Sequence, residues 1–138
     1  MHMMKLSLTW VLLATSLFFA AYTHAAVESE DTSTTKDSTH YRVSYTSKVE
    51  PLPLNHIHSW ELYVETLDGK PVEKATITIY GGMPMHKHDL PTQPVVTELG
   101  DGNYLVEGMK FSMLGTWKIW VQVQAGEFTD TVTFYIEL

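Results

Sequence analysis

From His40 to Leu138 apolar and polar residues alternate with a period of two, the spacing of strands that bury one face. Tyr41, Val43, Tyr45 and Val49 alternate with Arg42, Ser44, Thr46 and Lys48. In the next segment His56, His58, Trp60, Leu62 and Val64 fall on one face, with Ser59, Glu61 and Glu65 on the other. Ala75, Ile77 and Ile79 alternate with Thr76, Thr78 and Tyr80. Trp117, Ile119, Val121 and Val123 share a face and leave Trp120 on the opposite, outward one. Phe128, Val132, Phe134, Ile136 and Leu138 close the series. Asp68-Gly69, Gly100-Asp101-Gly102 and Ala125-Gly126 read as hairpin turns. Residues 81–94 carry three Pro and two adjacent Gly and are expected to be irregular. About seven short strands with frequent turns, and no helical period in this region, predict an all-β fold, an antiparallel two-sheet sandwich of the Ig-like kind.

The N-terminal part follows a different logic. Lys5 precedes an almost uninterrupted apolar run over residues 6–21, and Thr23-His24-Ala25 ends it with small residues of cleavage-site type. This pattern predicts a signal peptide over 1–25, its apolar run short for a membrane-spanning helix. An uncleaved membrane anchor is the alternative. Residues 26–39 (AVESEDTSTTKDST) lack apolar periodicity and read as a flexible acidic tether, leaving 40–138 as the domain. The expected location is therefore periplasmic, with membrane association only if the first segment is retained.

Charge and cysteine content narrow the chemistry. The chain has 138 residues and a net charge of −7, and loss of Lys5 with the first segment leaves eight basic against sixteen acidic residues. Nucleic acid and anionic lipid surfaces both require clustered Lys and Arg, so neither is an expected partner. The absence of Cys removes disulfides, thiolate nucleophiles and Cys-based metal sites. A domain of about a hundred residues can still rest on its core alone. Seven His, seven Met and the carboxylates remain for special chemistry.

Two places concentrate these residues. One is Asn55-His56-Ile57-His58-Ser59-Trp60, where both imidazoles enter the core face at the start of a strand. The other is Gly81-Gly82-Met83-Pro84-Met85-His86-Lys87-His88-Asp89-Leu90, with two Met and two His in six residues. Thioether sulfur suits Cu(I), and imidazole suits copper in either state as well as zinc and nickel. In an extended chain His86 and His88 face one way, and Met83, Met85 and Lys87 the other, so one flat segment cannot give all four ligands to one ion. Either Pro84 bends the chain or the set is completed from elsewhere, by His58, Met109 or Met113. The plain alternatives are imidazoles bonded to loop carbonyls and Met side chains filling gaps under a loop.

The chain from Leu54 to Val123 resembles the exported YtkA-like/FixH-like family of small bacterial domains. The resemblance rests on Leu54-Asn55-His56-Ile57-His58-Ser59-Trp60, Asp68-Gly69-Lys70-Pro71-Val72, and Gly81-Gly82-Met83-Pro84 with His86 and His88. Leu90-Pro91-Thr92-Gln93-Pro94, Gly100-Asp101-Gly102-Asn103-Tyr104, Gly108-Met109-Lys110-Phe111-Ser112-Met113 and Trp117 extend it. The resemblance implies a β-sandwich outside the cytoplasmic membrane, in a family with members associated with copper handling or assembly of respiratory oxidases. By that analogy Met83, His86, His88, His58 and Met113 are the candidate metal ligands and copper is the candidate ion. Met85 and Asp89 depart from the family pattern, which expects a polar residue and Gly at those positions.

An enzymatic role has no support in these motifs, since no nucleophile elbow is present and Asp89 beside His88 is only a sequence neighbour. Two readings stand. In one, a non-catalytic domain holds copper and passes it to an exported or membrane acceptor. In the other, a metal-free module presents Met83, Met85 and Leu90 to a protein partner, with Trp120 as a further contact.

Overall fold

The computed structural model describes residues 39–138, so the signal peptide and all of the tether except Thr39 lie outside the described residues. The strands are β1 (Tyr41–Ser47), β2 (His58–Thr66), β3 (Thr76–Met83), β4 (His88–Asp89), β5 (Val95–Gly100), β6 (Asn103–Met109), β7 (Thr116–Ala125) and β8 (Phe128–Glu137). Two four-stranded antiparallel sheets result, ordered β1-β2-β6-β5 and β4-β3-β7-β8, a sandwich consistent with an Ig-like architecture. Alternation sets the core as expected. Trp60, Leu62 and Val64 of β2 and Tyr104 and Val106 of β6 are buried against Trp117, Ile119, Val121 and Val123 of β7 and Val132, Phe134 and Ile136 of β8. Trp120 lies on the other face, half-buried and stacked on Tyr80 at 5.3 Å, with the Lys118 ammonium 4.9 Å from its ring.

Several expectations need correction. Among the described residues there are eight strands, because the segment expected to be irregular carries the end of β3 and the two-residue β4. Gly81 and Gly82 are strand residues for a steric reason. A Cβ on Gly81 would lie 2.6 Å from Ile119 Cδ1, and one on Gly82 would press on the His88 carbonyl. The Asp68-Gly69 turn forms, with Gly69 N–H donating to Thr66 at 2.9 Å, but it is not a β2–β3 hairpin. After one bridge between Glu65 and Pro71 the chain crosses to the second sheet. Pro71 has no N–H with which to extend the ladder. Val49 lies beyond β1 and is exposed, and Phe128 is half-exposed against the His40 ring at 4.2 Å. His56 precedes β2 and is exposed, because Asn55 adopts φ 58° and breaks the alternation before the strand begins.

A buried carboxylate ties the start of β1 to β8. Asp130 accepts from His40 N–H at 2.6 Å, Tyr41 N–H at 3.1 Å and the Thr39 hydroxyl at 3.0 Å, with His40 Nδ1 at 3.2 Å. Burial alone would raise the Asp130 pKa, but these hydrogen bonds outweigh it and hold the carboxyl below its ordinary value of 3.8. The unfolded chain therefore binds this proton more readily, and stability is lost as pH falls through the carboxylate range toward the folded pKa. Urea titrations stepped downward from about pH 6 should show that loss, and Asp130→Asn should be less stable at the top of the range with a smaller acid-dependent decline. Equal pH dependence in the two proteins would contradict this assignment.

Candidate metal centre

The soft donors are brought together by strand ends. β2 begins where β6 finishes, with His58 opposite Met109. β7 begins where β3 finishes, with Gly82 opposite Lys118. The start of β2, the end of β3, the end of β6 and the 110–115 connection thus occupy one end of the sandwich.

His58 is 5% exposed, beside the Phe111 ring at 5.6 Å and the Trp60 ring at 6.4 Å. Its Nδ1 lies 3.2 Å from the His56 carbonyl, and a carbonyl only accepts, so Nδ1 carries the proton in the neutral ring. Nε2 is left with a lone pair that is buried and without a hydrogen-bond partner. Trp60 Nε1 is likewise buried and unpartnered. A ring anchored through one nitrogen with the other nitrogen free is the arrangement in which proteins present imidazole to metals.

Met109 meets His58 through a β-bulge. Ser59 pairs with Glu107, yet His58 pairs with Met109, so Gly108 is the extra residue, at φ 89°. The bulge reverses the phase of β6: Tyr104 and Val106 are buried before it, and Met109 and Phe111 after it. His58 and Met109 are thereby directly opposed on the inner face, where partner Cβ atoms lie roughly 4.5–5.5 Å apart.

Met83 closes β3 and is 1% exposed. Its Cε fills the space over Gly115, 2.9 Å from where a Cβ on that residue would stand. The 84–87 turn, with Lys87 at φ 54° and His86 N–H bonded to the Met83 carbonyl at 3.0 Å, folds β4 back on β3. Met83 and His88 are consequently paired across the ladder and lie on the same side of it. The extended-chain expectation, which set Met83 against the two imidazoles, does not apply to His88. The sheet edge leaves His88 exposed, and His86 and Met85 are exposed on the turn, Met85 at 89%. Met113 is 36% exposed on the bend before β7, where its carbonyl accepts from Trp117 Nε1 at 3.0 Å.

The candidates therefore divide. His58 and Met83 are interior, as is Met109, which the sequence offered only as one of three completions. His86, His88 and Met113 form the rim. Among the described residues no three His, Asp or Glu side chains form a group able to hold a metal ion. One buried imidazole, that of His58, and the buried thioethers of Met83 and Met109 belong to the residues at this end, and donors of these types suit a soft monovalent ion.

Because an unsatisfied buried nitrogen costs roughly 1–3 kcal/mol, His58→Leu should leave the metal-free protein as stable as the wild type or more so. Loss of the His56 carbonyl contact offsets part of the gain, at about 0.5–1.5 kcal/mol. Chemical denaturation without metal checks this, and a marked destabilisation would mean that Nε2 is satisfied in the folded protein.

Comparison with known proteins agrees with the architecture. No curated protein matches the sequence. The crystal structure of a DUF4426 family protein from Pseudomonas aeruginosa PAO1 is similar to this chain, with a TM-score of 0.52 at 19% identity. The match spans 75% of this chain and 94% of that one, and at this identity it speaks to fold alone. The YtkA-like family model matches residues 35–122, well over half the sequence, and the chain belongs to the YtkA-like family.

Proposed function

We propose that this is an exported, non-catalytic metal-handling domain that carries copper as Cu(I) at one end of its sandwich and yields it to an exported or membrane acceptor. One observation carries this reading. All four methionines among the described residues (Met83, Met85, Met109, Met113), and His56, His58, His86 and His88, lie at the same end, while His40 alone lies at the other. Core packing would scatter Met through the sandwich, whereas metal handling requires these donors together.

The division between rim and interior suits a carrier. His86, His88 and Met113 are the first donors an arriving ion meets, and His58 and Met83 hold it out of water. Thioethers bind Cu(I) without a negative charge, so a partner's ligands can displace them one at a time. The acidic surface draws cations toward the domain and favours a basic docking face on the acceptor. The N-terminal apolar segment supports export to the periplasm, where such an exchange would take place.

A specific feature also favours the second reading, a metal-free interaction module. Ile57 is 70%, Met85 89% and Leu114 68% exposed at this same end, the kind of apolar surface a protein partner covers. The two readings differ in their linkage to metal. Thermal melts of the purified protein with Cu(I) under reductant, Cu(II), Zn(II) or no metal separate them. A carrier gains about 2.7 kcal/mol when free Cu(I) is a hundredfold above Kd. For a domain of about a hundred residues that is a midpoint rise on the order of 10 °C. Coincident melts under all four conditions would leave the docking module as the function.

A further inference from the structure

We infer that the resident ligands of the proposed Cu(I) ion are His58 Nε2 and the thioether sulfurs of Met83 and Met109, a three-coordinate interior site roofed by the 112–115 bend. This assignment rests on the metal-handling reading and names the site within it. It moves the ion inward from the exposed turn that carries His86 and His88.

Three observations converge on this set. The first is the orphaned Nε2, the one imidazole nitrogen at this end known to be both buried and unpartnered among the described residues, on a ring already oriented by the His56 carbonyl. The second is the Gly108 bulge, which places Met109 directly opposite His58, with both side chains on the inner face. In unbroken register Gly108 would face His58 in place of Met109. The third is Met83, brought from the opposite sheet. The β3–β7 register, Gly81 with Ile119 and Gly82 with Lys118, runs on toward Trp117 at Met83. Trp117 touches the Phe111 ring at 5.4 Å, and Phe111 touches His58 at 5.6 Å.

The surroundings favour a soft monovalent cation. Water-free burial penalises a charge that lacks donors, and a divalent ion more than a monovalent one. The rings of Trp60, Phe111 and Trp117 pack together at this end, and aromatic faces attract a cation. The roof is held at both ends: Gly115 N–H donates to the Leu138 carbonyl at 2.8 Å and Leu138 N–H returns a bond at 3.2 Å. At its other side Trp117 Nε1 holds the Met113 carbonyl. Gly115, at φ 121°, leaves room for Met83 Cε where any side chain would collide with it.

The test is an anaerobic titration of the purified protein with Cu(I), in competition with a chromogenic Cu(I) chelator, with X-ray absorption on the loaded sample. Met83→Leu and Met109→Leu keep side-chain volume and remove only sulfur, so each should fold normally. Each should weaken Cu(I) binding at least roughly tenfold. His58→Leu should abolish tight binding, while His86→Ala/His88→Ala should retain affinity within about threefold. The absorption spectrum should fit two sulfur scatterers and one nitrogen. A spectrum with two or more nitrogens, or affinity lost in the His86→Ala/His88→Ala protein and kept in the two Leu variants, would overturn the interior site and leave the copper reading standing. So would unchanged affinity in His58→Leu. Absence of binding in the wild type would sink both.

Discussion

Phe111 lies 5.4 Å from the ring of Trp117 and 6.0 Å from that of Trp60, and through these contacts the two sheets are locked at the end where the soft donors gather. Trp60 belongs to β2 and Trp117 to β7, so neither sheet can move there without disturbing Phe111. Phe111 is itself fixed by main-chain pairing, with its carbonyl accepting from Asn55 N–H at 2.7 Å. A domain without Cys has no covalent staple, and interlocked rings with this much buried area do that work at about 25 cal/mol per Å² removed from water. The opposite end is tied differently, by Asp130 and its ring of donors. One end is thus tied by polar bonds and the other by apolar packing, and the methionines of the described residues lie at the second.

That packing depends on a change of phase. Had β6 continued its alternation, Met109 and Phe111 would have faced solvent and the aromatic lock would not exist. Gly108 inserts the extra residue and costs little because glycine accepts φ 89° without strain. The same residue therefore closes the core and sets Met109 opposite His58. A structural feature and the proposed binding feature have a common origin, which is why bulges so often stand next to sites.

Much of the fold was legible in the sequence because the signals are local. Period two placed Trp60, Leu62 and Val64 inward, and Gly100-Asp101-Gly102 made the β5–β6 turn because all three residues adopt positive φ, at 95°, 51° and 78°. What was not legible depends on partners far along the chain. Asp68-Gly69 turns whichever sheet follows, and the crossing after Pro71 is decided by where β3 finds β7. Gly81 and Gly82 resemble loop residues until Ile119 and the His88 carbonyl are in place beside them. Of the inferred ligands, His58 and Met83 stood out in the sequence by type and position, whereas the preference for Met109 over the Met113 expected from the resemblance turns on the phase of a strand. A lone glycine after the alternating residues 103–107 was the available cue. His56 shows the converse, since its parity matched His58 and its backbone did not.

An unpartnered nitrogen in an aromatic core is a defect if the domain only has to fold, and it becomes an asset if the domain has to hold an ion. The penalty for burying Nε2 without a partner is present in the metal-free protein and absent once the lone pair is donated. In the proposed carrier, relief of that penalty would add to the affinity for the ion and link folding to loading through one atom. A site of three uncharged donors, as inferred, would let the ion go to a better-placed set, and the exposed Met85, Leu114 and Ile57 stand at the end where such a set would approach. On this view the apolar rim and the interior donors are two halves of one transfer device, and the docking surface is what gives the buried site its exit.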